Sequence, residues 1–215
     1  MKTEMPGYTV ASRSSERPVV CHVIPSLEMG GMERVVLSLL EEFGARGATA
    51  CLFCTDLEGE LFSSAHAVAK ACGRRQRSPL KVDWKVVSAL RKFAHENGVR
   101  VLHAHNLMAH MYSVLAAFGT GMRVVVTVHG QAYFGTNRTR LLQRILSLRT
   151  AKVVCVSDDI RTIALGRKCF PPRQLAVVQN GIATRRFQRS VEAEKDTARR
   201  RLGIPEGAFV VGSVG

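Results

Sequence analysis

Val19-Val20-Cys21-His22-Val23-Ile24 is followed by Glu28-Met29-Gly30-Gly31-Met32-Glu33-Arg34 and then by Val35-Val36-Leu37-Ser38-Leu39-Leu40. The first segment is short, apolar and β-branched, the composition of a strand buried on both faces of a parallel sheet. The last suits a helix packed on such a sheet. Two adjacent glycines between them let the backbone approach a ligand closely and reach positive φ without a Cβ clash. A helix that starts there aims unpaired N–H groups at an anion. Strand, glycine turn and helix in this order lay out a phosphate or sugar-phosphate site at the carboxyl edge of an open α/β sheet. The third glycine of the dinucleotide fingerprint is missing, which argues against NAD.

Outward from this stretch, strand-like and helix-like segments alternate. Strands are predicted at 19–24, 49–54, 100–104, 123–128, 152–156 and 175–179, with a further one at 209–214. Helices are predicted at 32–43, 83–96, 107–118, 138–149 and 158–166. Asp83 and Ser157 have the chemistry of N-caps, the latter followed by Asp158 and Asp159, and Gly98, Gly119 and Gly121 stand where helices should end. Repeated βα units mean an α/β fold, a Rossmann-like doubly wound parallel sheet with helices on both faces. Residues 18–182 form that domain. Residues 1–17 are polar, with Ser12, Ser14 and Ser15 among charges and no apolar core of a signal peptide, and are expected to be a disordered tail. Residues 183–207 break the rhythm and read as a connector rich in arginine (Arg185, Arg186, Arg189, Arg199, Arg200, Arg201), with one helix near 192–202. Residues 208–215 open the first strand of a second domain that the chain does not complete.

The chain has 215 residues, 46% of them hydrophobic, enough for one well-buried domain. Lys and Arg number 31 against 17 Asp and Glu, a formal charge of +14, which favours phosphates, nucleic acid or an anionic membrane. Aromatic residues make up only 6% of the chain, and none interleave with the basic clusters. Nucleic acid is therefore not expected as a partner. The six cysteines (Cys21, Cys51, Cys54, Cys72, Cys155, Cys169) sit mostly in apolar runs and read as buried free thiols of a reducing, cytoplasmic compartment. Cys51 and Cys54 have Cys-x-x-Cys spacing, but on a strand they face opposite sides and make no zinc site. No stretch approaches the roughly eighteen apolar residues that span a bilayer.

Five motifs carry a resemblance. They are Gly30-Gly31-Met32-Glu33-Arg34, His103-Ala104-His105-Asn106 closing a strand, and Thr127-Val128-His129-Gly130 after the next. Val156-Ser157 then opens a helix, and Asn180-Gly181-Ile182 precedes Phe187. Together, over residues 19–215, they resemble the N-terminal half of glycosyltransferase family 4, retaining enzymes of the GT-B fold. The resemblance implies transfer of a sugar from a nucleotide-sugar donor to a hydroxyl acceptor: a glycan, a lipid or a polysaccharide precursor. No further cofactor is implied. Gly30 and Gly31 would lie under the donor diphosphate and beside the acceptor. His129 would line the reaction centre as the catalytic residue, with Gly130 beside it. His103, His105 and Asn106 would face the acceptor cleft. Ala183 stands where the family often has Asp. The family's donor-binding motifs would lie beyond Gly215, so this chain alone is expected to be inactive.

The residues speak for the same cleft. Gly30, His103, His105 and His129 all fall at carboxyl ends of predicted strands, where doubly wound sheets bind ligands. A neutral imidazole can donate to or accept from a sugar hydroxyl. His22, His66, His95 and His110 lie in predicted strand or helix interiors and read as structural, hydrogen-bonded side chains. His103 and His105 share a face, but no third ligand or carboxylate is near, so no metal is expected. Paired carboxylates for glycoside hydrolysis, a nucleophile elbow and a Walker loop are all missing. Retaining transfer relies on positioning and on stabilising the leaving diphosphate.

The 138–149 segment is basic and amphipathic, with Leu141, Ile145 and Leu148 on one side and Arg140 and Arg144 beside it. An ordinary outer helix would pack that apolar side on the sheet, which is the expectation adopted. The alternative is docking on an anionic lipid surface, peripheral on the cytoplasmic face of a membrane, as suits a lipid-linked acceptor. Arg74, Arg75 and Arg77 form a loop cluster that could steer phosphates or merely be solvated. Two rivals stand beside the transferase. One is a non-catalytic acceptor-binding module working with a separate donor-domain partner, the other a basic protein that binds nucleic acid or membrane by charge.

Overall fold

The structure is a computed structural model describing residues 18–76, 82–182, 184, 192–205 and 207–212. Seven parallel strands form one sheet in the order β3-β2-β1-β4-β5-β6-β7. They are β1 (Val19–Ile24), β2 (Ala50–Cys54), β3 (Lys70–Cys72), β4 (Val99–Ala104), β5 (Arg123–Val128), β6 (Thr150–Cys155) and β7 (Leu175–Val177). The strand order reverses between β1 and β4, which opens a crevice at their carboxyl ends. The helices of this unit are α1 (Gly31–Ala45), α2 (Trp84–Glu96), α3 (Leu107–Ala117), α4 (Asn137–Ser147) and α5 (Asp158–Arg167). The chain divides after Asn180, and the second unit contains α6 (Glu192–Arg201).

Side-chain alternation assigns the two faces of the sheet. Cys21, Val23, Cys51, Phe53, Leu102, Ala104, Val124, Val126 and Val128 point to one face and form the larger core with residues of α2 to α5. Ile24, Leu52 and Cys54 point to the other and pack under Val36 and Leu40 of α1. Cys51 and Cys54 thus lie on opposite faces, as expected, and all six cysteines are free. Burial pushes the Cys21 thiol well up, so it stays protonated and inert.

The expected caps form. Asp83 accepts from the Lys85 amide, and Ser157 accepts from the Ile160 amide. Gly98 and Gly119 leave α2 and α3 at positive φ of 61° and 73°. The strand β3 was not predicted: it is three residues long, at the sheet edge, and paired only with β2. A run so short carries no period of its own. His66 is likewise a correction, since it lies in the loop before β3 rather than inside an element. The polar tail 1–17, Arg77, part of the connector (183, 185–191 and 206, with Ala183 and Phe187) and the end of the 209–214 strand fall outside the described residues. Among the described residues, 209–212 carry no strand assignment.

Two further expectations change. Arg75 is not a free loop cation: its guanidinium makes a two-pronged pair with Asp56, Nε to Oδ1 at 2.8 Å and Nη2 to Oδ2 at 2.6 Å. Both side chains are nearly buried, and Thr55 donates to the same carboxylate at 2.7 Å. The pair ties the loop after β2 to the loop after β3. Secondly, the apolar stripe of α4 does not pack on the sheet. Leu141, Ile145 and Leu148 are 62%, 57% and 81% exposed. The helix instead buries Gln143, Leu146 and Ser147, one step round. Ser147 donates to the Arg144 carbonyl and the Gln143 amide nitrogen to the Tyr133 carbonyl, which offsets part of the cost of burying them, while Gln143 Oε1 is buried without a hydrogen-bonding partner.

Candidate functional site

The glycine turn opens α1 directly after the β1 loop. Gly30 is the N-cap, with φ of −169°, an extended value open to any residue, so the expected positive φ is not used here. What Gly30 provides is space: a Cβ there would meet the Glu33 carboxylate, whereas a Cβ at Gly31 would meet nothing. Glu33 lies in the first turn of α1, where its charge is stabilised by the unpaired N–H groups.

At the carboxyl ends of β4 and β5 the histidines come together, and a fourth joins them. Register pairs His22 of β1 beside His103 of β4. Two residues further on, His105 lies on the same face, and its backbone amide donates to the Val23 carbonyl at 3.0 Å. His22 Nδ1 is 2.9 Å from His105 Nε2, and His105 Nδ1 is 3.1 Å from His129 Nε2. His103 stands alongside, its ring centre 4.4 Å from that of His105 and its Nε2 2.8 Å from the Thr127 hydroxyl. Phe43 of α1 meets the His22 ring edge to face at 5.5 Å. The site is thus a row of imidazoles crossing the point where strand order reverses, buried at His22 and partly open at His129.

Every ring in the row is held neutral at ordinary pH. Burial lowers His129 to about 4, and burial aided by the nearby His129 lowers His103 to about 4. Burial pushes His22 and His105 well down, aided at His22 by His103 and at His105 by His103, His22 and His129, because two imidazolium charges repel. His110, on α3, is separate. Its Nδ1 meets the Tyr133 hydroxyl at 2.7 Å and its Nε2 the Thr150 hydroxyl at 2.8 Å. Thr150 donates onward to the Leu146 carbonyl, so His110 donates to Thr150 and accepts from Tyr133. That is the structural role expected of it.

His103, His105 and His129 are therefore brought together, while the other expected site residues have local duties. Asn106 caps α3, its Oδ1 accepting from the Ala109 amide at 2.7 Å. Gly130 precedes a 3-10 turn at Gln131–Tyr133 with extended φ of −177°. His105 is buried, and its two ring nitrogens meet His22 and His129. His22 was missed. Its signal was present in the sequence, since it sits one strand away at the same height, but only the register reveals that. His22 also supplies the third ligand that the sequence lacked: donor atoms of His22, His103 and His105 lie within 4.8 Å of one another.

Comparison with known proteins fits this arrangement. The profile of Glycosyltransferase Family 4 matches residues 29–186. The chain belongs to that family. No curated protein sequence matches it. Among solved structures, a glycosyltransferase from Rickettsia africae superimposes with a TM-score of 0.75 at 17% identity, covering 90% of this chain and 51% of that one. HepE from Anabaena, solved with UDP and glucose, gives 0.70 at 15% identity, covering 87% and 50%. Sucrose-phosphate synthase from Thermosynechococcus elongatus gives 0.62 at 15% identity, covering 88% and 53%. The chain thus spans about half the length of these structures, and what they share with it is the GT-B half-fold.

Proposed function

We propose that this chain is the acceptor-side domain of a sugar transferase. In the intact protein a hexose would leave a nucleoside diphosphate and join a hydroxyl of a glycan, lipid or polysaccharide precursor, with retention at the anomeric carbon. The observation that carries the reading is His129. In a family 4 chain it stands at the carboxyl edge of β5, anchored by His105 on one side and open on the other. A neutral imidazole there can hold an oxygen of the sugar or of the leaving diphosphate, where charge grows in the transition state. The UDP and glucose bound by HepE support a nucleotide-sugar donor. Gly30 and Gly31 are assigned to the diphosphate side. Transfer would need the donor-binding half, so this chain alone should release no nucleoside diphosphate from a nucleotide sugar. The test joins the chain to that half and follows release of the nucleoside diphosphate. His129→Ala should cut kcat by about 100-fold. An unchanged kcat removes His129 from the reaction.

The exposed stripe of α4 supports a membrane-held acceptor. Leu141, Ile145 and Leu148 face solvent, with Arg138, Arg144 and Arg149 exposed among them. Beside the helix lies a hollow of about 580 Å³ lined by Arg144, Lys168, Cys169, Phe170, Pro171 and Pro172. Apolar side chains ringed by cations match an anionic lipid surface. Among the described residues no helix is long and apolar enough to cross a membrane, so the contact would be peripheral, on the cytoplasmic face. Sedimentation with anionic vesicles should carry the chain down, and neutral vesicles should not.

A further inference from the structure

We infer that His22 and His105 set the tautomer of His129, making it a hydrogen-bond donor toward the cleft through Nδ1. This rests on the transferase reading only for the identity of the oxygen that His129 would hold; the row of rings stands on its own geometry.

Each neutral imidazole carries one N–H and one bare nitrogen. Three rings joined by two hydrogen bonds have three protons, and two of these lie inside the bonds at 2.9 Å and 3.1 Å. The third sits at one end of the row, on His22 Nε2 or on His129 Nδ1. His22 is fully buried, and its Nε2 has no hydrogen-bonding partner. A buried N–H without an acceptor costs about 1–3 kcal/mol, and orphaned buried donors are rarer than orphaned acceptors. His129, partly exposed, can give an N–H to water or to a ligand oxygen. The proton therefore goes to the open end. His22 donates through Nδ1 to His105 Nε2, His105 donates through Nδ1 to His129 Nε2, and His129 presents Nδ1–H. All three rings share one tautomer, so His129 cannot accept a proton at Nε2 unless the whole row reverses. His22 and His105 are positioning residues; His129 is the one that would touch substrate.

A metal triad is the competing use of the same side chains. Two nitrogens on one tetrahedral zinc stand about 3.3 Å apart, given bonds of about 2.0–2.1 Å. The 2.9 Å between His22 and His105 is instead a hydrogen-bond distance.

The experiment is long-range proton–nitrogen NMR of the histidine rings in this chain, labelled with nitrogen-15, at neutral pH. The expected spectrum shows His22, His105 and His129 each protonated at Nδ1 alone. Protonation of His129 at Nε2, or a mixture of its tautomers, overturns the proposal. So does a stoichiometric shift of the His22, His103 and His105 signals when zinc is added, which would make the cluster a metal site. In His105→Phe, with folding checked by the backbone amide spectrum, His129 should relax to a mixture of tautomers. A single Nδ1–H form in that folded variant also overturns it. The wild-type spectrum decides the matter if the variant does not fold. Neither readout involves sugar transfer, so a failure of the transferase reading would show separately in the nucleoside diphosphate assay.

Discussion

At the scale of single residues, two glycines show how different the same residue type can be. Gly59 has φ of +79°, and a Cβ there would strike the Leu27 carbonyl and the Glu28 amide. Backbone cannot step aside as a side chain can, and an L-residue in that region is strained besides. Gly59→Ala should therefore cost at least about 1–3 kcal/mol, read as a lowered urea midpoint with unchanged slope. Gly30, which decides the reading of the sequence, should behave otherwise. Its backbone is extended, and only the Glu33 carboxylate must swing away. Gly30→Ala should change stability by less than about 1 kcal/mol in the same denaturation series. A large loss there would mean that the turn uses glycine for the fold and not for closeness to a ligand.

At the scale of elements, the caps and α4 make opposite claims. Asp83 and Asn106 each satisfy an amide of their helix through a side-chain oxygen. Replacing either by Ala should cost about 1 kcal/mol, measured by chemical denaturation. At the C-cap of α4, by contrast, Leu148 is 81% exposed and buries little. Leu148→Asp should leave the thermal midpoint within a degree or two while abolishing sedimentation with anionic vesicles. Loss of stability in this variant would show that the stripe is covered by protein in solution, and retained vesicle binding would remove the lipid reading. Periodicity in the sequence had identified the stripe correctly as apolar but pointed it inward. A helix with Leu on two adjacent sides has two possible inner faces, and only its neighbours choose between them.

At the scale of the whole domain, the neutral histidines couple stability to pH. An unfolded histidine takes up its proton near pH 6.5, whereas His103 and His129 in the fold do so only near 4. Between these values the unfolded chain binds more protons than the native one, so stability is full above 6.5 and falls as pH drops toward 4. His22 and His105 push in the same direction. A urea midpoint followed across that window should fall steadily; a flat profile would mean that the rings are charged or solvated in the native state. The buried Arg75–Asp56 pair gives a second check on the domain, because it joins the loops at the edge of the sheet. Asp56→Ala leaves a guanidinium without its partner and should cost about 3–5 kcal/mol.

The sequence by itself determined the α/β class, the βα rhythm, the caps at Asp83 and Ser157, and the family. These are local matters: periodicity, a side-chain oxygen two or three residues from an amide, and motifs read along the chain. It also placed His103, His105 and His129 at the right edge, because a strand's carboxyl end can be read from where its apolar run stops. Tertiary structure alone decided that His22 belongs with them, since its partnership with His103 depends on the register of β1 against β4 across some eighty residues. The same holds for Arg75, claimed by a carboxylate from another loop. Contacts between segments distant in the chain are set by packing and pairing, and no local pattern encodes which polar group will meet which.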